Sequence, residues 1–177
     1  MLKGQDIVVL LKLVGINDEQ PSFARLGVEL VMSPSEVHKA IRRATASGLV
    51  QVEAIRGSHI KRPNRTALLE FLVHGLKYVF PAERGTETRG VPTGLFAEDL
   101  KQLVSRHRAP IPVWPWAEGT VRGLALEPLY RTAPAAALND PALHQLLALC
   151  DAIRDGRARD RSVAVDELSR RLGSEVE

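Results

Sequence analysis

Two short helical patterns, separated by a break of three residues, constrain the fold of this chain more than any other feature. Their apolar side chains recur at helical spacing, at Leu26, Leu30, Val37 and Ile41. The break ends in Pro34, which suits the first turn of a helix because its missing N–H would have no partner there. The sequence therefore predicts two helices, over residues 22–31 and 34–47, joined by a tight turn.

A helix precedes this pair and a small hairpin follows it. Residues 6–14 read DIVVLLKLV and repeat apolar side chains at helical spacing. Residues 49–55 are rich in β-forming side chains, residues 56–58 are typical of a turn, and residues 59–62 predict a returning strand. The predicted order is therefore helix, helix, tight turn, helix, strand, basic turn, strand.

The stretch SFARLGVELVMSPSEVHKAIRRATASGLV, residues 22–50, resembles the winged helix-turn-helix of MarR-like bacterial transcriptional regulators. The features that carry the resemblance are Leu26, Leu30, Ser33-Pro34-Ser35, Val37, Ile41 and Gly48-Leu49-Val50. The resemblance implies a winged helix within residues 1–80, in which the helix over 34–47 reads the major groove of DNA. It also implies that the wing over 49–62 contacts the backbone of the duplex.

The positive charge of the chain is concentrated in the same region. The whole chain has a net charge of +3, whereas residues 36–65 hold seven Lys and Arg against two acids, a net of +5, so the remainder sums to −2. A DNA-reading helix needs one apolar face for docking and an opposite face of cations and hydrogen-bond donors. The predicted DNA contacts are Ser35, His38, Lys39, Arg42, Arg43, Arg56, Lys61, Arg62 and Arg65.

The chain changes character after a further helix predicted over residues 66–80. That helix has apolar side chains around most of its circumference, so we expect burial on several sides, which a dimer interface would provide. Residues 81–134 then hold seven of the eleven prolines and five glycines. This composition predicts an irregular segment over 81–135 with one short helix near 97–107.

Two features of the irregular segment are candidate contacts for a ligand or a partner. Trp114 and Trp116, held by an intervening proline, present rigid apolar area, although residue type favours the alternative that both indoles cover the back of the winged helix. Arg84 and Arg89 lie among the glycines of RGTETRGVPTG, where guanidinium groups and backbone N–H groups are suited to an anion. Arg-Gly loops are also common without a ligand.

Helical periodicity returns in residues 136–177. A stripe of leucines is interleaved with charges of both signs, at Leu143, Leu146, Leu147, Leu168 and Leu172. Such an amphipathic surface suits dimerisation or partner binding, and it equally suits docking on the chain's own core. The predicted fold is thus α+β and mainly α, with a small β-wing, a Pro-rich connection and C-terminal amphipathic helices.

Catalytic, metal-binding and membrane roles are not indicated. The five histidines lack metal-ligand spacing, Cys150 lies on an apolar helical stripe, and phosphate-binding and nucleophile motifs are absent. We therefore predict that the protein is not an enzyme and needs no metal or cofactor. The sequence holds no apolar run of transmembrane length and no signal-peptide pattern, which together with the single cysteine predicts a cytoplasmic protein without membrane contact.

Three functions compete. The first is a sequence-specific transcriptional regulator that binds double-stranded DNA as a homodimer. The second is an antitoxin-like protein that neutralises an enzyme through residues 81–177 and represses its own operon. The third is a regulator that senses a small molecule in a pocket between the helix over 66–80 and the tryptophan segment.

Overall fold

The computed structural model of the protein describes residues 1–16, 20–55, 58–103 and 110–173. Its helices and strands are α1 Gly4–Ile16, α2 Phe23–Leu30, α3 Pro34–Ala46, β1 Val50–Ile55, β2 Ser58–Pro63, α4 Arg65–Glu70, α5 Leu76–Val79, β3 Arg84–Pro92, β4 Pro112–Pro115, β5 Val121–Leu126, α6 Ala133–Leu138, α7 Pro141–Asp155 and α8 Ala158–Gly173. The fold is therefore mixed α and β, as predicted. Within the described ranges no helix is long and apolar enough to cross a membrane.

The predicted pair of short helices is confirmed, and side-chain caps define its ends. The Ser22 hydroxyl accepts a hydrogen bond from the N–H of Arg25 at the start of α2. Ser33 and Glu36 form a reciprocal capping box at the start of α3, with Pro34 in its first turn. Between the helices Val31 takes a left-handed conformation, with φ 55°, and closes the turn.

The first helix lies at the centre of the molecule. The side chains of α1 from Ile7 to Leu11 are fully buried, because α1 packs both against α3, from the N-terminal half of the chain, and against α7, from the C-terminal half. The leucines of α7 and α8 belong to the same continuous core. Of the two interpretations of the leucine stripe, the structure therefore supports docking on the chain's own core.

The helix predicted over 66–80 is present as α4 and α5, joined by a π-helical turn over Phe71–Gly75. Its buried side chains lie on one side, at Leu68, Leu72 and Leu76, whereas Tyr78 and Val79 are exposed. Within a single chain this helix is therefore buried on one side only, and burial of its other sides by a dimer interface stays a prediction. The reason is that α7 and α8 cover only one face of this helix.

The prediction of an irregular segment over 81–135 is wrong for its described part. Strand β3 pairs antiparallel with both β4 and β5, and β4 pairs parallel with β5, so the three strands close on themselves. Two 3₁₀ turns, Gly94–Phe96 and Glu98–Leu103, stand where a helix was predicted near 97–107. Residues 104–109 of that prediction lie outside the described residues.

Close backbone approach explains why this small sheet is rich in glycine. A Cβ atom at Gly90 would lie 2.0 Å from the carbonyl oxygen of Trp114 on the paired strand. A Cβ atom at Gly123 would lie 2.1 Å from the carbonyl oxygen of Ile111. Because no side chain fits at either place, glycine here permits strand pairing instead of breaking it.

Candidate nucleic-acid interface

Helix α3 divides cleanly into a packed side and an exposed side. Val37, Ala40, Ile41 and Ala44 are buried, and the first of these packs with the side chains of α1 and α2 in the core. The exposed side carries Ser35, His38, Lys39 and Arg42. This is the division that a helix needs in order to dock on a scaffold and present polar groups outward.

The exposed side of α3 continues onto its neighbours in the fold. The ring of His38 lies 5.3 Å from the ring of Phe23 at the start of α2, measured between centroids. Lys61 of β2 lines a cleft of about 420 Å³ together with Phe23 and Ile41. We call Ser35, His38, Lys39, Arg42 and Lys61 the basic face. Within the described residues, no ion pair neutralises Lys39, Arg42 or Lys61.

Arg43 does not belong to the basic face. Its Nη2 lies 2.5 Å from Oδ1 of Asp6, and its Nε donates a hydrogen bond of 2.9 Å to Oδ2 of the same carboxylate. The Asp6 side chain is fully buried, and hydrogen bonding to it raises the pKa of Arg43. This pairing ties α3 to α1, so Arg43 is left out of the basic face, and a DNA contact by Arg43 stays a prediction.

The remaining predicted DNA contacts, Arg65, Arg62 and Arg56, differ in their surroundings. Arg65 donates a hydrogen bond of 3.2 Å to the carbonyl oxygen of Val14, so it links the start of α4 to α1. Arg62 of β2 lies beside Glu53 of β1, with Nε 3.9 Å from the carboxylate, and it is only partly exposed. Arg56 lies outside the described residues.

Two hydrogen bonds that the sequence pattern did not predict support the start of α3. The Tyr130 hydroxyl donates a hydrogen bond of 2.8 Å to Glu36, and the Thr132 hydroxyl donates one of 2.9 Å to the carbonyl oxygen of Leu30. Both side chains follow β5, so a segment about a hundred residues away along the chain holds both sides of the turn between α2 and α3. The exposed cation Arg131 lies between them, 5.8 Å from the Tyr130 ring.

Glu36 makes the support of α3 dependent on pH. Hydrogen bonds from the backbone N–H and hydroxyl of Ser33, and then from Tyr130, lower the pKa of Glu36 from 4.5 to about 2. A carboxyl group with a lowered pKa in the folded state contributes stability that is complete above the unfolded value and is lost as the pH falls through the folded one.

We therefore expect replacement of Glu36 by glutamine to destabilise the protein more at neutral pH than near pH 2, with the difference shrinking as the pH falls below about 4.5. Urea unfolding of both proteins across this range measures the difference. Glu118→Gln, at an exposed position between β4 and β5, is the control. An equal difference between Glu36→Gln and the unchanged protein at every pH would contradict this assignment.

No family model, curated protein or solved structure matches this chain. The described residues hold no cluster of three His, Cys, Asp or Glu side chains that is suited to a metal ion. Cys150 is fully buried, and burial raises the pKa of its thiol, which disfavours the reactive thiolate.

The two tryptophans proposed as contacts have different surroundings. Trp114 is buried, donates a hydrogen bond of 2.6 Å from Nε1 to Asp151 of α7, and lies 5.3 Å from the ring of His144. It is therefore a packing residue, as residue type favoured, but it packs on α7 and not on the back of the N-terminal helices. Trp116 is half-buried against the core.

The two arginines of the same prediction also differ. Arg84 pairs with Asp155 at the end of α7, with 2.5 Å between Nε and Oδ1. Arg89 is exposed on β3, opposite Arg122 of β5. The N–H of Trp116 donates a hydrogen bond of 3.2 Å to the carbonyl oxygen of Arg89, so these two residues are neighbours on the small sheet, whereas Trp114 is buried against α7.

Proposed function

We propose that the chain is a sequence-specific DNA-binding transcriptional regulator, built on a winged helix-turn-helix over about residues 6–80. The observation that carries the proposal is the basic face: exposed cations and donors on α3, flanked by Lys61 of the hairpin, while the opposite side of α3 is locked into the core. In this proposal α3 enters the major groove and the hairpin β1–β2 lies along the phosphate backbone.

The side chains of α3 suit both kinds of DNA contact. Arg42 offers a planar guanidinium that can form two hydrogen bonds to guanine, and Ser35 and His38 offer shorter donors and acceptors for base edges. Lys39 and Lys61 are suited to phosphates, whose contacts position the protein without reading sequence. With 13 residues, α3 is about 20 Å long, which is enough to follow one segment of the groove.

A second copy of the chain is part of the proposal. A single α3 reads a few base pairs, and winged-helix and helix-turn-helix regulators gain affinity when two such helices contact half-sites about 34 Å apart on one side of the duplex. Such a homodimer would bind a pseudo-palindromic site. Sedimentation of the protein alone and with a duplex carrying one or two half-sites measures the stoichiometry directly.

A binding assay with an Arg42→Ala variant tests the function. First, selection from a random duplex library identifies the preferred site. Next, fluorescence anisotropy measures its dissociation constant across a range of salt concentrations. We expect the variant to bind about tenfold more weakly, because each good base or phosphate contact contributes about 1–3 kcal/mol.

Arg122→Ala is the matched control, since Arg122 is an exposed arginine on β5 that pairs with Glu87 on the small sheet. We expect it to bind as tightly as the unchanged protein. A binding constant that does not depend on salt, or equal losses in the two variants, would contradict the proposal.

The antitoxin-like alternative has less support. It needs residues 81–177 to present a surface to an enzyme, but the leucines of α7 and α8 that would form such a surface are buried in the chain's own core. The small-molecule alternative also has less support. The pocket was expected between the α4–α5 helix and Trp114, but α7 contacts both and occupies that place.

A further inference from the structure

A cleft of about 460 Å³ lies between the small sheet and the junction of α7 and α8. Its walls are β5, the 3₁₀ turn Gly94–Phe96, and the corner at which α7 passes into α8. This volume is in the range of small-molecule sites, which are commonly about 300–1,000 Å³. The cleft shares no lining residue with the basic face, so it is a separate site.

The inner wall of the cleft is apolar. It is lined by the side chains of Leu95, Phe96, Pro112, Leu124 and Leu126. Leu95 and Leu126 are almost fully buried, whereas Leu124 is partly exposed toward the cleft. Such a wall binds an apolar ring or chain by excluding water from both surfaces.

The charged groups of the cleft are distributed unevenly. Arg84 and Asp155 pair with each other, and Asp151 accepts hydrogen bonds from Arg154, Thr93 and Trp114, so these charges are compensated.

Arg157 and Arg159 remain, exposed at the corner between α7 and α8. Within the described residues neither guanidinium forms an ion pair or a hydrogen bond, and both residues line the cleft together with Asp160, the remaining acidic residue of its lining. The uncompensated charge at the cleft is therefore positive.

We propose that this cleft binds a small amphipathic anion, a ligand with one apolar ring or chain and one carboxylate, sulfonate or phosphate group. The apolar part packs on the wall formed by β5 and the 3₁₀ turn. The anionic group lies at the α7–α8 corner, where two guanidinium groups offer charge-assisted and bidentate hydrogen bonds. The site follows from this cleft alone and does not depend on DNA binding.

Two fluorescent probes that differ only in charge test the ligand class. The first is 8-anilinonaphthalene-1-sulfonate, and the second is N-phenyl-1-naphthylamine, which has the same rings without the sulfonate. Each is titrated into the full-length protein. We expect one saturable site that binds the sulfonate probe at least tenfold more tightly than the neutral probe, because a hydrogen bond to a charged group adds about that much affinity.

Variants then locate the site. Replacing Arg157 and Arg159 together by alanine is expected to weaken the sulfonate probe at least tenfold and to leave the neutral probe unchanged. The control, Lys101→Ala with Arg122→Ala, removes the same charge elsewhere and should change neither probe. Leu124→Trp is expected to exclude both probes by filling the cleft.

The outcomes separate the parts of the proposal. If the Arg157 and Arg159 variant retains its preference for the sulfonate probe, the assignment of the anion to these residues is overturned. If Leu124→Trp remains folded by circular dichroism and still binds both probes, the cleft is not their site. Binding that does not saturate would show general adsorption to apolar surface and would equally overturn the proposal.

Discussion

Replacing Asp151 by alanine is expected to lower the free energy of unfolding by about 3–5 kcal/mol. This carboxylate is almost completely buried between α7 and the small sheet. It lies 2.9 Å from Nη1 of Arg154, and its other oxygen accepts hydrogen bonds from the Thr93 hydroxyl, at 2.7 Å, and from Nε1 of Trp114, at 2.6 Å. The alanine variant leaves one buried cation and two buried donors without their acceptor.

In the alanine variant the guanidinium of Arg154 cannot turn toward water. The guanidinium of Arg154 also donates hydrogen bonds to three backbone carbonyl groups, those of Phe80, Pro81 and Glu127, which fix it in place. Burial raises the pKa of Asp151, and the charge of Arg154 opposes that rise. The pair is therefore costly to break even though the burial of its charges is itself unfavourable.

Urea unfolding, followed by circular dichroism, measures the loss. The matched control is Asp155→Ala, one turn further along α7, because Asp155 pairs with the exposed Arg84 and an exposed pair contributes about 1 kcal/mol or less. If the two variants lose the same stability, Asp151 is not the residue that joins the small sheet to α7.

The N-terminal half of the fold was predictable from sequence because its determinants are local. Ser22 and the pair Ser33 and Glu36 are caps that act within three residues, and Pro34 acts on its own turn. The hairpin β1–β2 likewise needs only neighbouring residues to pair, from Val50 with Pro63 to Ile55 with Ser58. Each of these interactions can be read from a short stretch of sequence.

The small sheet was not predictable in the same way. Its glycines and prolines are typical of irregular chain, but Gly90 is required by the close approach of Trp114 on another strand. Pro92, Pro112 and Pro115 lie at strand ends, where a missing N–H is tolerated. Both residue types acquire their role only from partner strands about 20 to 40 residues away, which the composition of the segment does not show.

The sequence predicted the region of the candidate site but not which of its cations are exposed and which are paired within the fold. The net charge of +5 over residues 36–65 covers the region in which the basic face lies, yet it counts Arg43 and Arg65 as available cations. The first pairs with Asp6 and the second with the Val14 carbonyl group, both on α1. One signal was present: an aspartate heads the apolar run DIVVLLKLV, and a carboxylate on a helix that is buried all round requires a cation.

Arg42 and Arg43 are neighbours on α3, and we expect their alanine variants to behave in opposite ways. Arg43→Ala should lower the free energy of unfolding by about 3 kcal/mol, because it leaves the fully buried carboxylate of Asp6 without the guanidinium that compensates it. Arg42→Ala should change stability by about 0.5 kcal/mol or less, since its side chain is exposed.

A double-mutant cycle shows whether the stability effect belongs to the pair. Urea unfolding is measured for Asp6→Ala, Arg43→Ala and the combined variant. We expect the combined variant to lose less than the sum of the single variants, because removing both partners leaves no unpaired charge. DNA affinity, measured below the temperature at which Arg43→Ala begins to unfold, should fall for Arg42→Ala only. If Arg43→Ala instead retains full stability and loses DNA affinity, Arg43 belongs to the basic face and its contact with Asp6 does not hold α3 on α1.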